Sequence, residues 1–274
     1  MTDTERINNT YRRLREHYTA ATDYIEGREV FGTFAFGSQN YGLDDENSDL
    51  DSKLLVIPTI KDIASLRPPL STTIERTNGE HIDVRDVGLF FDNFKNQSHN
   101  SLEALFTPFF SLKEEYIVQW NALLRKREEI ARINPYKAVK AMQGMAHRNM
   151  KLLTSELEHG RDMFKAKGYN PKMLHHILKS EYFLKHYTRG DAYIDCIVPE
   201  GSERDFILLA KQGVFVKDEA EHYAIDAVIT INKIAEDFYS RVTDESDTKL
   251  LEFIDEVKEE IVRIGLRKQI RFFF

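Results

Sequence analysis

Phe36-Gly37-Ser38-Gln39-Asn40-Tyr41-Gly42, followed after a short spacer by Ser48-Asp49-Leu50-Asp51, is the stretch from which the rest of this chain is read. Ten residues lie between Ser38 and Asp49, and the two aspartates bracket a single leucine. The preceding run, Val30-Phe31-Gly32-Thr33-Phe34-Ala35-Phe36, is apolar, rich in aromatics and followed by glycine, so it reads as a buried strand. Gly37 lets the backbone approach a ligand with no Cβ in the way. Ser38 is placed to cap a helix that starts there, and the free N–H groups of such a first turn offer a seat for a phosphate. From Asp49 to Ile57 the chain changes from polar to strongly apolar and reads as the next strand. Residues i and i+2 of a strand share a face, so Asp49 and Asp51 are expected to project together while Leu50 enters the core. Adjacent carboxylates repel unless a cation lies between them, and hard oxygen ligands suit Mg²⁺. A phosphate seat beside such a pair is the arrangement that two-metal phosphoryl or nucleotidyl transfer requires. Neither motif alone is specific, and the reading rests on both occurring between two strand-like runs.

A third carboxylate is expected on a neighbouring strand. Glu80-His81-Ile82-Asp83-Val84-Arg85-Asp86-Val87 alternates polar and apolar residues, the pattern of a half-buried strand. His81, Asp83 and Arg85 share one face, and Asp83, in mid-strand, is the expected third ligand or general base. Asp86 is the alternative, unless it caps a helix beginning near Val87.

The segment from Gly37 to Pro108 resembles the DNA polymerase beta-like nucleotidyltransferases, and within them an RNA-repair-associated branch of bacteria and phages. The residues that carry the resemblance are the Gly-Ser turn with Tyr41-Gly42 after it, Ser48-Asp49-Leu50-Asp51 with Lys53 two places on, and the Asp83 strand leading into a helix from Val87 to about Gln97. Asn100-Ser101-Leu102-Glu103-Ala104-Leu105-Phe106-Thr107-Pro108 and the later Tyr169-Asn170-Pro171-Lys172-Met173-Leu174-His175-His176 are similar to two further elements of that branch. The resemblance implies an enzyme that moves a nucleoside monophosphate from an NTP to a hydroxyl and releases pyrophosphate. It implies Mg²⁺ as cofactor, two ions with Mn²⁺ as a substitute, held by Asp49, Asp51 and Asp83. It further implies nucleotide contacts from Gly37, Ser38, Lys53, Lys172 and His176. Lys172, His176 and Lys179 share one face of a helix. The sequence departs from the branch at Ser52, at Ser98-His99 and at Lys179, none of which is an expected metal ligand. These departures bear on the substrate, for which an RNA or tRNA end is favoured and a protein side chain is the alternative. A non-catalytic nucleotide-binding module is the competing reading, and the intact set of aspartates argues against it.

With 274 residues, 42% hydrophobic and 30% charged, the chain has room for a sizeable core as one large or two modest domains. No apolar run approaches the ~20 residues that span a bilayer, and residues 1–6 lack the apolar core of a signal peptide. Cys196 is the sole cysteine, so no disulfide framework or cysteine zinc site is expected. A bacterial or phage-infected cytoplasm is the expected location, with no membrane partner. The net charge of −7 argues against tight, sequence-independent binding of long nucleic acid. Arg125-Lys126-Arg127 and the tail from Arg267 to Arg271 are candidates for local basic patches.

The fold expected is α/β in the α+β sense, a small mixed-sheet catalytic core over residues 1–110 followed by a helical domain over 111–274. Residues 4–26 read as an amphipathic helix. Ser71–Arg76 and Glu80–Val87 read as a hairpin about Thr77-Asn78-Gly79, Asn-Gly being the strongest short hairpin signal. Beyond Pro108 the spacing predicts helices over 112–133, 136–159, 171–187, 205–212, 220–242 and 247–264. His147, on the second of these, is expected to pack rather than to bind. A cleft between the two domains is the default place for a ligand.

Overall fold

Val30, Phe31, Phe34, Ala35 and Phe36 are all buried, as the run before the glycine predicts, and Glu29–Phe36 (β1) lies inside a sheet. The computed structural model describes residues 3–44, 48–156 and 161–271. Among these, five strands form one mixed sheet in the order β3-β4-β2-β1-β5, with Asp51–Ile57 as β2, Ser71–Glu75 as β3, His81–Asp86 as β4 and Phe110–Leu112 as β5. β1 runs antiparallel to β2 and β5, β3 antiparallel to β4, and β2 parallel to β4. The hairpin about Asn78-Gly79 is present, with Gly79 at φ 84°, where a left-handed backbone favours glycine. Helices over a mixed sheet make the fold α+β.

Asp3–Ala21 (α1) covers one face of the sheet. Its Ala21 packs with Leu54, Val56, Ile82 and Val84, and its Leu14 with Ala35 and Leu50. The α-helix expected to reach residue 26 ends at Ala21 and passes into a 3-10 turn at Thr22–Tyr24, after which the chain turns at Glu26 and Gly27, both at positive φ. The other face carries Val87–Lys95 (α3), Ile117–Arg125 (α5) and Thr248–Arg271 (α13), with Phe34 packed against Phe90 and Trp120. A short helix, Ile60–Ala64 (α2), follows β2, and His99–Leu102 (α4) and Arg127–Ile130 (α6) are single turns.

The helix expected over 112–133 is instead a strand, a 3-10 turn and the separate helices α5 and α6. Gly32 supplies the reason. A Cβ there would lie 2.8 Å from both Leu112 Cδ2 and the Ser111 carbonyl, so its absence lets β5 close on the sheet edge.

Pro135–Leu152 (α7), Arg161–Lys167 (α8), Pro171–Tyr187 (α9), Tyr193–Ile197 (α10), Gly201–Lys211 (α11) and Lys217–Tyr239 (α12) form the helical region. The helices α8 and α10 are additions to those expected. α7 ends at Leu152, short of the expected end at His159, and positions 157–159 lie outside the described residues. Two Asn-Pro pairs start the long helices. Asn134 accepts the Lys137 N–H at 2.9 Å and Asn170 the Lys172 N–H at 3.1 Å, each with proline in the first turn. Leu174, Ile177, Phe183 and Leu184 make α9 the buried centre, packed by α7, α10, α11 and α12.

The chain divides into two compact units, Met1–Asn40 with Asp44–Ile133 and Ser246–Phe274, and Tyr41–Leu43 with Asn134–Glu245. The expected boundary after residue 110 therefore falls inside the first unit. β5 completes the sheet and α13 returns to pack on α3, α5 and β2.

Candidate active site

β1 delivers the chain to Gly37, whose φ of 88° turns it away from the strand. The next four residues, Ser38–Tyr41, form one 3-10 turn in place of the helix expected at Ser38. Asn40 N–H closes the turn on the Gly37 carbonyl at 3.0 Å. The buried Glu103 holds it from below, accepting the Gly37 N–H at 2.9 Å and the Asn40 side-chain amide at 2.6 Å. The Asn40 amide also reaches the Ala35 carbonyl at 2.8 Å, and Thr107 donates to its oxygen at 2.6 Å. Gln39 then ties the turn to the aspartates, its amide donating to the Asp49 carbonyl at 2.7 Å.

Leu50 is fully buried, Asp49 exposed and Asp51 partly exposed, so the two carboxylates flank a core residue. β2 starts at Asp51, leaving Asp49 in the approach to the strand. Asp51 Oδ1 accepts the His81 N–H at 3.3 Å and lies 3.2 Å from His81 Nδ1. The parallel register sets Lys53 beside Asp83, with Nζ 3.0 Å from Oδ2 and the same ammonium 4.4 Å from the centre of the Phe36 ring. Arg85 approaches Asp83 from the other side at 3.1 Å. Asp83 is thus flanked by two cations. Asp86 points elsewhere, capping α3 by accepting the Gly88 N–H at 2.7 Å, and burial raises its carboxyl above the ordinary range against that bond.

Among the described residues, no three His, Cys, Asp or Glu side chains are grouped to hold a metal ion. Neither the Asp49 nor the Asp51 carboxylate is in an ion pair with lysine or arginine among the described residues, and Asp51 lies beside His81. Asp83 is held apart from them in its pairs with Lys53 and Arg85.

Behind this face lies a buried network that the motif reading did not find. Arg13 of α1 donates to the Ser48 carbonyl at 3.1 Å and through Nε to Glu80 at 2.7 Å. His17 places Nε2 2.8 Å from Glu80 and Nδ1 2.8 Å from the Ser52 hydroxyl, and Arg76 donates to Glu80 at 2.8 Å. Burial alone would raise Glu80; hydrogen bonds from His17, Asn78 and Arg13 outweigh it and bring the carboxyl to about 2. Burial lowers the His17 pKa. The neutral ring then donates from Nε2 to Glu80 and accepts the Ser52 hydroxyl at Nδ1. Ser52, polar where an apolar residue was expected, was the one visible signal of this network.

In the second unit Lys172 is exposed and His176 follows one turn later. Burial is the largest influence on His176 and holds it well below the ordinary histidine value, aided by His175, Lys179, Lys172 and Arg148. Its imidazole is uncharged at neutral pH, so it offers a hydrogen bond and leaves positive charge to the surrounding Lys172 and Arg148. Tyr41-Gly42-Leu43 is gripped by the same unit. Lys179 Nζ lies 2.8 Å from the Tyr41 ring centre, Arg204 donates twice to the Gly42 carbonyl at 2.8 and 3.1 Å, and Lys211 donates to the Leu43 carbonyl at 2.7 Å. His147 bonds Asn232 at 2.8 Å. Of the basic patches, Arg127 covers the Phe106 ring at 5.1 Å, Lys126 pairs with Glu129 at 3.4 Å and Lys268 with Glu29 at 2.7 Å. The side chain of Arg271 lies outside the described residues.

No protein-family model matches the chain, and no curated protein matches it. Among solved structures it is similar to a nucleotidyltransferase-like protein from Exiguobacterium sibiricum 255-15, at 13% identity over 82% of this chain and 75% of that one, with a TM-score of 0.28. No helix among the described residues is long and apolar enough to cross a membrane.

Proposed function

We propose that this protein is a metal-dependent nucleotidyltransferase that moves a nucleoside monophosphate from an NTP to a hydroxyl and releases pyrophosphate. One observation carries the reading: Gln39 joins the Gly37-Ser38 turn to Asp49, so the glycine turn and the Asp49-Leu50-Asp51 alternation form one hydrogen-bonded piece. Asp49 and Asp51 would hold Mg²⁺, which when bound neutralises charge on the transferring phosphate. Gly37 would keep a Cβ away from the incoming phosphates, and the Ser38 hydroxyl would donate to one of their oxygens. Lys53 is the nearest fixed cation to Asp83 and offers a positive charge to the nucleotide when Asp83 turns to a metal. Asp83 is the candidate to take the proton from the attacking hydroxyl, a role that Asp86 cannot share while it caps α3. Lys172 and His176 are the contacts in the helical unit that the sequence resemblance implies for the nucleotide. An RNA or tRNA end is the acceptor favoured by the sequence resemblance, with a protein hydroxyl as the alternative.

Incubating the protein with each of four α-labelled NTPs and Mg²⁺, against total bacterial RNA and total protein, tests this. Metal-dependent transfer of label to RNA is the expected result. Label in protein would replace the acceptor, and no transfer with any NTP and either pool would overturn the enzymatic reading.

A further inference from the structure

Across the sheet from the aspartates, a cavity of about 510 Å³ opens between α1 and the β1–β5 edge. That size falls within the ~300–1,000 Å³ of small-molecule sites. The face is fixed by β2: Ser52 bonds His17 of α1, and Asp51 and Lys53 alternate to the opposite side. The cavity is therefore separate from the carboxylate site.

Its walls are aromatic and its charge is of one sign. Tyr11 is fixed there by its hydroxyl, which donates to the Pro108 carbonyl at 3.0 Å, and by an edge-on contact to Phe109 at 5.8 Å. Tyr18 faces it with Lys113 Nζ 5.5 Å from the ring centre. Arg15 also lines the cavity, and no acidic side chain does. Neither Arg15 nor Lys113 is in an ion pair among the described residues. On the floor, Thr33, only 2% exposed, lines the cavity and offers a hydroxyl. Two unpaired cations between tyrosine rings suit a negative group attached to a flat ring.

We propose that this cavity binds a small planar anion, an aromatic ring carrying a phosphate or a carboxylate, with the rings of Tyr11 and Tyr18 against the ligand, Arg15 and Lys113 on its charge and Thr33 on its inner polar atom. The site stands apart from the transfer reaction and does not depend on it.

Isothermal titration of the full chain in EDTA, with AMP and separately with indole-3-acetate, tests the assignment. One-to-one binding of either probe is expected. AMP alone identifies a phosphate site, indole-3-acetate alone a carboxylate site, and both a site that reads charge and ring without distinguishing the anion. The double variant Arg15→Ala/Lys113→Ala, at exposed positions, should bind at least tenfold more weakly, and Arg15→Lys/Lys113→Arg should keep the affinity. Asp49→Ala/Asp51→Ala should bind as the wild type does. Failure of both probes to bind, unchanged affinity in the alanine double variant, loss in the charge-conserving one, or loss on removing the aspartates would each overturn the proposal. Because the transfer assay reads a different face and needs metal, failure of either reading leaves the other standing.

Discussion

The Glu103 carboxylate accepts the Gly37 N–H at 2.9 Å from 66 positions further along the chain. It thereby fixes the turn proposed to seat the phosphates. Glu103→Ala leaves that N–H unpaired, at a cost of about 1–3 kcal/mol, and leaves the Asn40 amide with only its bond to the Ala35 carbonyl. Chemical denaturation should show the loss, and NTP affinity should fall with it. Unchanged stability would mean that the turn holds its shape without the carboxylate.

Asp49→Ala and Asp51→Ala should each abolish transfer at saturating Mg²⁺ while leaving the melting temperature unchanged or higher, since one repelling charge is gone. Transfer above a tenth of the wild-type rate in either variant would remove the two-carboxylate metal site.

Asp83 and Asp86 should separate cleanly. Asp83→Asn is expected to slow the chemical step by ~10²–10⁴-fold with little change in NTP affinity, as for a group acting in the transition state. Asp86→Ala should cost about 0.5–2 kcal/mol of stability through the lost cap on α3 and keep turnover. Single-turnover rates and melting curves read the two effects, and the reverse pattern would exchange the roles.

Gly37→Val should weaken NTP binding more than Ser38→Ala. Valine is strained at a φ of 88° and puts branched carbons toward the phosphates, whereas alanine removes one hydrogen bond to a charged group, worth about 1.5–3 kcal/mol. Dissociation constants of the two variants check the order.

Stability should fall as the pH is lowered from about 6.5, at most ~1.4 kcal/mol per unit for each contributing group. His17, His175 and His176 are all held below the ordinary histidine value by burial, His175 at about 3, so below 6.5 the unfolded chain takes up protons that the folded one refuses. Glu80, lowered to about 2, adds a loss between 4.5 and 2. Asp62, Glu115, Asp191 and Asp255 are lowered as well and act with Glu80, whereas Asp86, raised by burial, acts in the opposite direction. Denaturant midpoints between pH 7.5 and about 2.5 measure the slope. Glu80→Gln should flatten its acid end, and a flat curve for the wild type would contradict the buried, neutral histidines.

Much of the sheet was legible because its signals are local. The apolar run into Gly37, the Asn78-Gly79 turn and the alternation from His81 to Asp86 each lie within a few residues. β5 was not legible, because Phe110–Leu112 becomes a strand only through the gap that Gly32 leaves on a partner some 80 positions earlier. The helices starting at Pro135 and Pro171 were announced by Asn-Pro, whereas α8 and α10 are short and lack such a marker. Around the aspartates the motif residues were named from sequence, but the groups that hold them were not. Arg13, His17 and Glu80 are brought together by folding, with His17 and Glu80 63 positions apart. A single polar residue in an apolar strand, Ser52, was their only trace. Likewise the pairing of Asp83 with Lys53 depends on strand register, which no spacing along one strand reveals.

The return of α13 to the sheet has a consequence for how the protein is made. Leaving the ribosome, the strands and α1 emerge first, yet their far-face helix, Thr248–Arg271, is translated only after the whole helical unit. Until then β2 and α3 expose the apolar surface that α13 will cover, while the helical unit has every residue it needs once Glu245 is out. The helical unit should therefore mature on the nascent chain before the aspartate-bearing sheet does, and chaperone demand should fall on the sheet during that interval.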